Sequence, residues 1–214
     1  MLPATVPQST TRTLKFTPPV PACMDYTLGI DGSDRTAAGG TSILLVHPST
    51  GETKRIDTNF LREDTDHFLV ISTRTTAREV RQKLDYYDVD DSRAVILATL
   101  SVERGYSRRS SDRVHYVSAP DDVAGIVEQA ERFFEEHDGK LRVSFDSITE
   151  LAYYAGEAEA RKAVERLVDL VDEHDAVALF HLSDEVHDDD TETGYRDLFD
   201  VVVDLDVDGN VDIV

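Results

Sequence analysis

The stretch HPSTGETKR, residues 47–55, directly follows the apolar run SILLV, where a phosphate-binding loop would begin. Such a loop reads G-x-x-x-x-G-K-[ST]: glycines let backbone N–H groups approach the phosphates, the lysine reaches them and the hydroxyl holds magnesium. His47 and Glu52 stand at the two glycine positions. Thr53 takes the lysine position and Lys54 the hydroxyl position. The pattern is not matched, so the motif alone leaves a decayed phosphate loop and a plain strand-to-helix turn equally open.

These replacements weaken the expected phosphate chemistry. A side chain at a glycine position that needs a positive φ costs about 1–2 kcal/mol. Glu52 would bring a carboxylate toward an anionic ligand, whereas a charge-assisted lysine contact contributes about 1.5–3 kcal/mol. Lys54 could reach back by sliding one position, but the metal-binding hydroxyl would then have to come from Thr53. We therefore do not expect normal nucleotide hydrolysis at this loop.

A second candidate binding group is the arginine-rich stretch RGYSRRSSDRVHY. It contains Arg104, Arg108, Arg109 and Arg113, which suit a phosphate, a nucleic-acid backbone or an acidic partner. The alternative is a solvated loop whose arginines pair with the surplus of carboxylates. The net charge of −21 opposes long-range approach to a polyanion, so an anion or protein partner is favoured over nucleic acid.

A weaker group of candidates lies in HLSDEVHDDDTE, where His181, Asp184 and His187 follow an apolar run. Two imidazoles and a carboxylate are a plausible ligand set for a transition metal. The spacing does not match HExxH or a similar metal motif, and an acidic loop in an acidic protein contains such residues by composition. We predict no metal site and no catalytic residue.

The elements that would position these residues alternate between strands and helices. Thr76 and Glu79 form a predicted capping box for a helix that places Ala77, Val80 and Leu84 on one face. Further helices are predicted over residues 120–137, with Pro120, Asp121 and Asp122 in the first turn, and around residues 160–171. Apolar runs typical of buried strands occupy residues 41–47, 67–73, 94–100, 114–119, 141–147, 175–182, 198–207 and 210–214.

This alternation predicts right-handed βαβ units and a mainly parallel sheet flanked by helices. The last two strands, joined by DGN, are expected to form an antiparallel hairpin at the sheet edge. Ligands of such sheets bind at the carboxyl ends of the strands. The loops after residues 47, 73, 146 and 182 are therefore the expected place for a site.

One of these strand ends carries the segment FDSITEL, with Asp146 lying 99 positions after His47. With this segment, the chain resembles the KaiC/RecA-like ATPase family over about residues 24–206. It is most similar to a haloarchaeal KaiC-like family whose members have lost the phosphate-loop signature. The resemblance implies a RecA-like fold and identifies FDSITEL as the Walker B segment, with Asp146 orienting magnesium. The implied nucleotide-binding residues are Pro48, Ser49, Thr50, Gly51, Thr53, Lys54 and Asp146.

The resemblance also indicates what is missing. In active KaiC-like enzymes the strand after the first helix ends in two glutamates, one of which activates water, but here Thr73 and Arg74 stand nearest to that place. Neither side chain serves as a base at neutral pH. The implied function is a pseudo-ATPase that regulates or signals through protein contacts, without a required cofactor. Two alternatives stay open: binding of ATP with magnesium at weak or no hydrolysis, and anion or nucleic-acid binding by the arginine loop.

The composition of the chain limits the expected number of domains, the disulfides and the cellular location. The 214 residues, of which 40% are hydrophobic, suit one domain, predicted over residues 24–214. Residues 1–23 hold five of the seven prolines and are predicted to be a mobile extension. Cys23 is the single cysteine, so no internal disulfide forms. Acidic, lysine-poor composition suits a halophilic cytoplasm, and without a membrane segment we expect a cytoplasmic protein that contacts an unidentified protein or itself.

Overall fold

The computed structural model describes residues 24–30, 35–49, 53–100 and 111–214. The predicted extension over residues 1–23 lies outside the described residues. The strands are β1 Asp25–Thr27, β2 Thr36–Ala38, β3 Ser42–His47, β4 His67–Ser72, β5 Ala94–Ala98, β6 Val114–Tyr116, β7 Leu141–Asp146, β8 Val177–Ser183, β9 Val201–Leu205 and β10 Val211–Ile213. The α-helices are α1 Thr53–Arg62, α2 Ala77–Tyr86, α3 Val123–Glu136, α4 Ile148–Ala155, α5 Glu157–Glu173 and α6 Asp189–Arg196.

The described strands β3 to β10 form one sheet in the order β10-β9-β3-β8-β7-β4-β5-β6. Every neighbouring pair is parallel except β9 and β10, which form an antiparallel hairpin at one edge. The mainly parallel sheet and the C-terminal edge hairpin agree with the sequence pattern. β1 and β2 pair separately as a short antiparallel ribbon.

Helices cover both faces of this sheet. Leu44 and Val46 of β3 face the layer that contains α3, α4 and α5, whereas Ile43 and Leu45 face α1, α2 and the β1–β2 ribbon. Both sets are buried, which explains why β3 and its neighbours are continuous apolar runs rather than alternating ones. No helix of the described residues has the length and apolar character to cross a lipid bilayer.

Several predicted boundaries were wrong. Helix α3 begins at Val123, not at Pro120, because the Asp122 side chain accepts a hydrogen bond from the Gly125 N–H and caps the helix. Strand β9 begins at Val201, not at residue 198, because α6 and the turn after it occupy the preceding residues. The capping box of α2 was confirmed, with the Thr76 hydroxyl and Glu79 carboxylate bonded to each other's backbone N–H.

Candidate functional site

The carboxyl ends of β3, β4, β7 and β8 meet at one edge of the sheet, as the sheet rule predicts. They border a cleft of about 900 Å³ between α1 and α2. This volume is in the range of small-molecule sites. Its walls include the ionisable side chains of His47, Lys54, Asp57, Arg74, Lys83, Asp146 and His181.

The phosphate-loop candidates lie beside this cleft. Pro48 and Ser49 follow β3, and Thr53 opens α1 with Lys54 exposed next to it. The Ser49 backbone N–H donates to the Glu185 carboxylate at 3.2 Å. A backbone donor at the place where a phosphate would sit therefore already has an anionic partner. Thr50 and Gly51 lie outside the described residues.

His47, at the first glycine position of the motif, is the last residue of β3 and is buried. Its Nδ1 lies 3.0 Å from the Pro48 carbonyl oxygen, which only accepts, so Nδ1 carries the proton and Nε2 the lone pair. Nε2 is buried and has no hydrogen-bond partner within the described part of the chain. Burial, followed by the nearby His181 ring, lowers the pKa of His47 to about 4. A neutral, buried imidazole thus stands at the position where a phosphate loop has a glycine.

A buried ion pair forms the floor of the cleft. Asp57 of α1 accepts a hydrogen bond from the Lys83 ammonium of α2 and another from the Ser144 hydroxyl of β7. His181 of β8 approaches the same carboxylate at 3.7 Å. Burial alone would raise the pKa of the Asp57 carboxyl, but Lys83 and His181 hold it well below its usual range. Burial disfavours the charged form of Lys83, whereas the nearby Asp57 carboxylate favours it. The pKa of Lys83 is raised overall.

Asp146, the Walker B candidate, ends β7 beside the β4–α2 connection. Arg74 Nη1 lies 3.6 Å from Asp146 Oδ1, and Arg74 Nε lies 3.6 Å from Glu150 Oε2. The preceding Thr73 is buried and bonded to this strand end: its N–H donates to the Asp146 carbonyl at 2.8 Å. Thr73 Oγ1 also donates to the Ser147 carbonyl at 3.0 Å. Thr73, one of the two residues that the resemblance puts nearest to the glutamates of KaiC-like enzymes, is therefore fixed against the end of β7.

The weak metal candidates do not come together. His181 lies on the cleft floor next to Asp57 and His47. His187 instead contacts Glu157 and Thr149, at 2.9 and 3.1 Å. Asp184 is exposed, and no group of three or more His, Cys, Asp or Glu within the described ranges could hold a metal ion. The sequence proximity of the three residues reflects the acidic loop and not a shared site.

The arginine cluster is described only in part. Arg104, Arg108 and Arg109 lie outside the described residues. Arg113 precedes β6, and its guanidinium donates to the Asp91 carbonyl at 3.2 Å. Binding of an anion or partner by this cluster stays a prediction.

Sequence reasoning missed the Asp57–Lys83 pair. One signal was available: Lys83 lies three residues after Val80 and four before Tyr87, inside the apolar face of α2. Asp57 likewise follows Ile56 and precedes Phe60 by three positions on the buried side of α1. Charged residues on two apolar helix faces indicate a buried pair, but the pattern does not show which residues meet.

Comparison with known proteins shows the family of this chain. Residues 24–214 match the sequence model of DUF7090, described as a family of unknown function. The chain belongs to this family. No curated protein matches the sequence.

Solved structures show which fold the DUF7090 chain has. A KaiC-like protein of the hyperthermophilic archaeon Pyrococcus horikoshii gives a TM-score of 0.63 at 16% identity, covering 90% of this chain and 88% of that chain. An ATPase of the type III secretion system of pathogenic bacteria gives 0.60 at 16% identity, covering 89% of this chain but 60% of that one. A further Pyrococcus horikoshii protein gives 0.56 at 12% identity, with coverages of 82% and 86%. The predicted RecA-like fold is confirmed.

Proposed function

We propose that this protein is a KaiC-like pseudo-ATPase of a halophilic cell, with a degenerate phosphate loop, in which residues 24–214 form one domain. The observation that carries the proposal is the position of Arg74, next to Asp146 where a KaiC-like enzyme needs a water-activating carboxylate. A general base must accept a proton, and a guanidinium is always protonated in proteins. The Thr73 hydroxyl beside it is engaged with Ser147. Neither residue activates water.

The residues do not fit a magnesium nucleotide, the group that the fold implies. Thr53 has no charge to reach the β- and γ-phosphates, and Lys54 has no hydroxyl for the metal. The His47 Nδ1–H faces the Pro48 carbonyl oxygen, and the Ser49 N–H is bonded to the Glu185 carboxylate. A phosphate would therefore find both of these donors already engaged. This mismatch supports loss of hydrolysis.

Protein contacts are the proposed mode of action. Tyr86 on the cleft rim is 79% exposed, and Tyr153 is 81% exposed next to Val186, which is 62% exposed. Exposed tyrosines are enriched at protein interfaces because they offer a large apolar face and a polar tip. These side chains flank the edge of the sheet where the degenerate loop lies. A regulatory surface at this edge would use the fold without its chemistry.

A second candidate is nucleotide binding without turnover. It is favoured by the exposed Lys54 in the first turn of α1, beside the cleft of about 900 Å³. A lysine at a helix N-terminus attracts phosphate together with the helix dipole. The two candidates differ in whether a nucleotide stabilises the folded chain.

The test measures phosphate release from ATP with magnesium, and thermal unfolding with and without the nucleotide, both in molar potassium chloride. The proposal expects no release above the buffer blank and no shift of the melting temperature. A shift that Lys54→Ala removes, without phosphate release, would support the second candidate. Phosphate release that Asp146→Ala abolishes would contradict the proposal. Asp85→Ala, a change of an exposed carboxylate on α2, is the matched control for altered charge.

A further inference from the structure

Three charged side chains, those of Arg74, Asp146 and Glu150, lie close together beside the end of β7. The Arg74 guanidinium lies 3.6 Å from an oxygen of Asp146 and 3.6 Å from an oxygen of Glu150. The contacted oxygen of Asp146 is buried and has no hydrogen bond to any of the described residues. The guanidinium supplies a positive charge that this carboxylate faces, and the Lys83 ammonium also interacts electrostatically with Asp146.

The backbone holds Arg74 in this position. Thr73 donates its N–H to the Asp146 carbonyl and its hydroxyl to the Ser147 carbonyl, and it accepts from the Ser147 N–H at 2.7 Å. On the other side, the Thr75 N–H donates to the Ser72 hydroxyl at 3.1 Å. The residue is thus fixed on both flanks, and its side chain starts next to the two carboxylates.

A magnesium ion at the same place would need carboxylate and water oxygens at about 2.0–2.1 Å in octahedral geometry. A guanidinium within 4 Å of both carboxylates occupies that space and repels a divalent cation. We propose that Arg74 is the built-in counter-ion of Asp146 and Glu150 and that it excludes magnesium from the cleft. The inference rests on the proposed function, since it concerns the same site. Arg74 is then the residue that keeps divalent metal ions out of the cleft. A ligand of this cleft therefore binds without a divalent ion.

The experiment measures binding of Mn²⁺, a spectroscopic substitute for Mg²⁺, by electron paramagnetic resonance in molar potassium chloride, which suppresses loose binding to the acidic surface. Arg74→Gln is expected to gain one Mn²⁺ site at least about tenfold tighter than any in the unmodified protein. Arg74→Gln/Asp146→Asn is expected to lose that site. Arg74→Lys, which keeps the charge, is expected to resemble the unmodified protein.

Arg78→Gln is the matched control, because it removes the same charge from an exposed position four residues further along the chain, on α2. Equal Mn²⁺ binding by Arg74→Gln and Arg78→Gln would overturn the inference. So would a Mn²⁺ site in the unmodified protein that Asp146→Asn removes, a comparison that does not require Arg74→Gln to fold. Such a site without ATP turnover would refute this inference alone, whereas phosphate release would refute the proposed function.

Discussion

Replacing Asp57 by asparagine tests whether the floor of the cleft is a structural ion pair. The side chain of Asp57 is 2% exposed and that of Lys83 18% exposed. Removing one member of a buried pair leaves the other charge without a partner and costs about 3–5 kcal/mol. Because Lys83 keeps some contact with solvent, we expect the lower end, about 3 kcal/mol. For a chain of this length that corresponds to a melting temperature lower by roughly 6–12 °C.

A double-mutant cycle isolates the pair from the other contacts of Asp57. Lys83→Met leaves the carboxylate with Ser144 and His181 as its partners among the described side chains and is expected to cost a similar amount. The double variant Asp57→Asn/Lys83→Met removes both charges, so its cost is expected to fall short of the sum of the two single costs by about 1–3 kcal/mol. The assay is urea unfolding followed by circular dichroism in molar potassium chloride. Asp85→Asn, exposed on α2, is the control and is expected to change stability by less than about 0.5 kcal/mol.

The pH dependence gives the same prediction a second readout. The pKa of Asp57 is lowered from 3.8, so its stabilisation is complete above that value and is lost as the pH falls below it. The pKa of Lys83 is raised from 10.5, so its stabilisation is complete below that value and is lost at higher pH. A loss below about 1 kcal/mol for Asp57→Asn, or strictly additive costs in the cycle, would refute this account of the cleft floor.

Two further predictions concern neighbouring residues. The pKa of His47 is lowered from 6.5 to about 4, so the unfolded chain binds a proton between these values and the folded chain does not. Stability should therefore fall by up to about 3 kcal/mol as the pH drops through this window, and the urea midpoint of His47→Gln should depend less on pH there. Thr73→Val leaves the buried Ser147 N–H without its partner and should cost about 1–3 kcal/mol, whereas Thr73→Ser should cost less. Equal urea midpoints for these two variants would contradict the role given to the hydroxyl.

The sheet was predictable because its strands are buried on both faces. Runs such as SILLVH and HFLVIS carry the signal in consecutive residues, so local sequence was enough to find β3 and β4. The convergence of the loops after residues 47, 73, 146 and 182 followed from the geometry of parallel sheets. In contrast, the short strands β1 (DYT) and β2 (TAA) contain no run of large apolar residues that would indicate a strand. Helix α6 was missed because Tyr195 is its one buried residue.

The chemistry inside the cleft was not predictable because it depends on contacts between elements. Asp57 and Lys83 lie 26 positions apart on two helices, and Ser144 lies 87 positions from Asp57. Nothing in the local sequence states that these side chains meet. The resemblance to KaiC-like enzymes implied that Thr73 and Arg74 stand nearest to the place of their two glutamates. The approach of Arg74 to Glu150 could not be predicted, because it depends on the positions of α4 and the β4–α2 connection.

Two ion pairs, Asp57–Lys83 and Asp146–Arg74, place positive charge at the carboxyl edge of the sheet. In a phosphate-loop enzyme, the loop lysine and the magnesium ion supply positive charge at the carboxyl edge of the sheet. Here Lys83 meets Asp57 and Arg74 meets Asp146, and both cations come from α2 and the connection that precedes it. Covalently attached cations balance these carboxylates at any ligand concentration, whereas a bound ligand stabilises only in proportion to its occupancy. In the proposed pseudo-ATPase, Asp57 and Asp146 would therefore keep their counter-ions without nucleotide or metal, and the fold would not depend on either ligand.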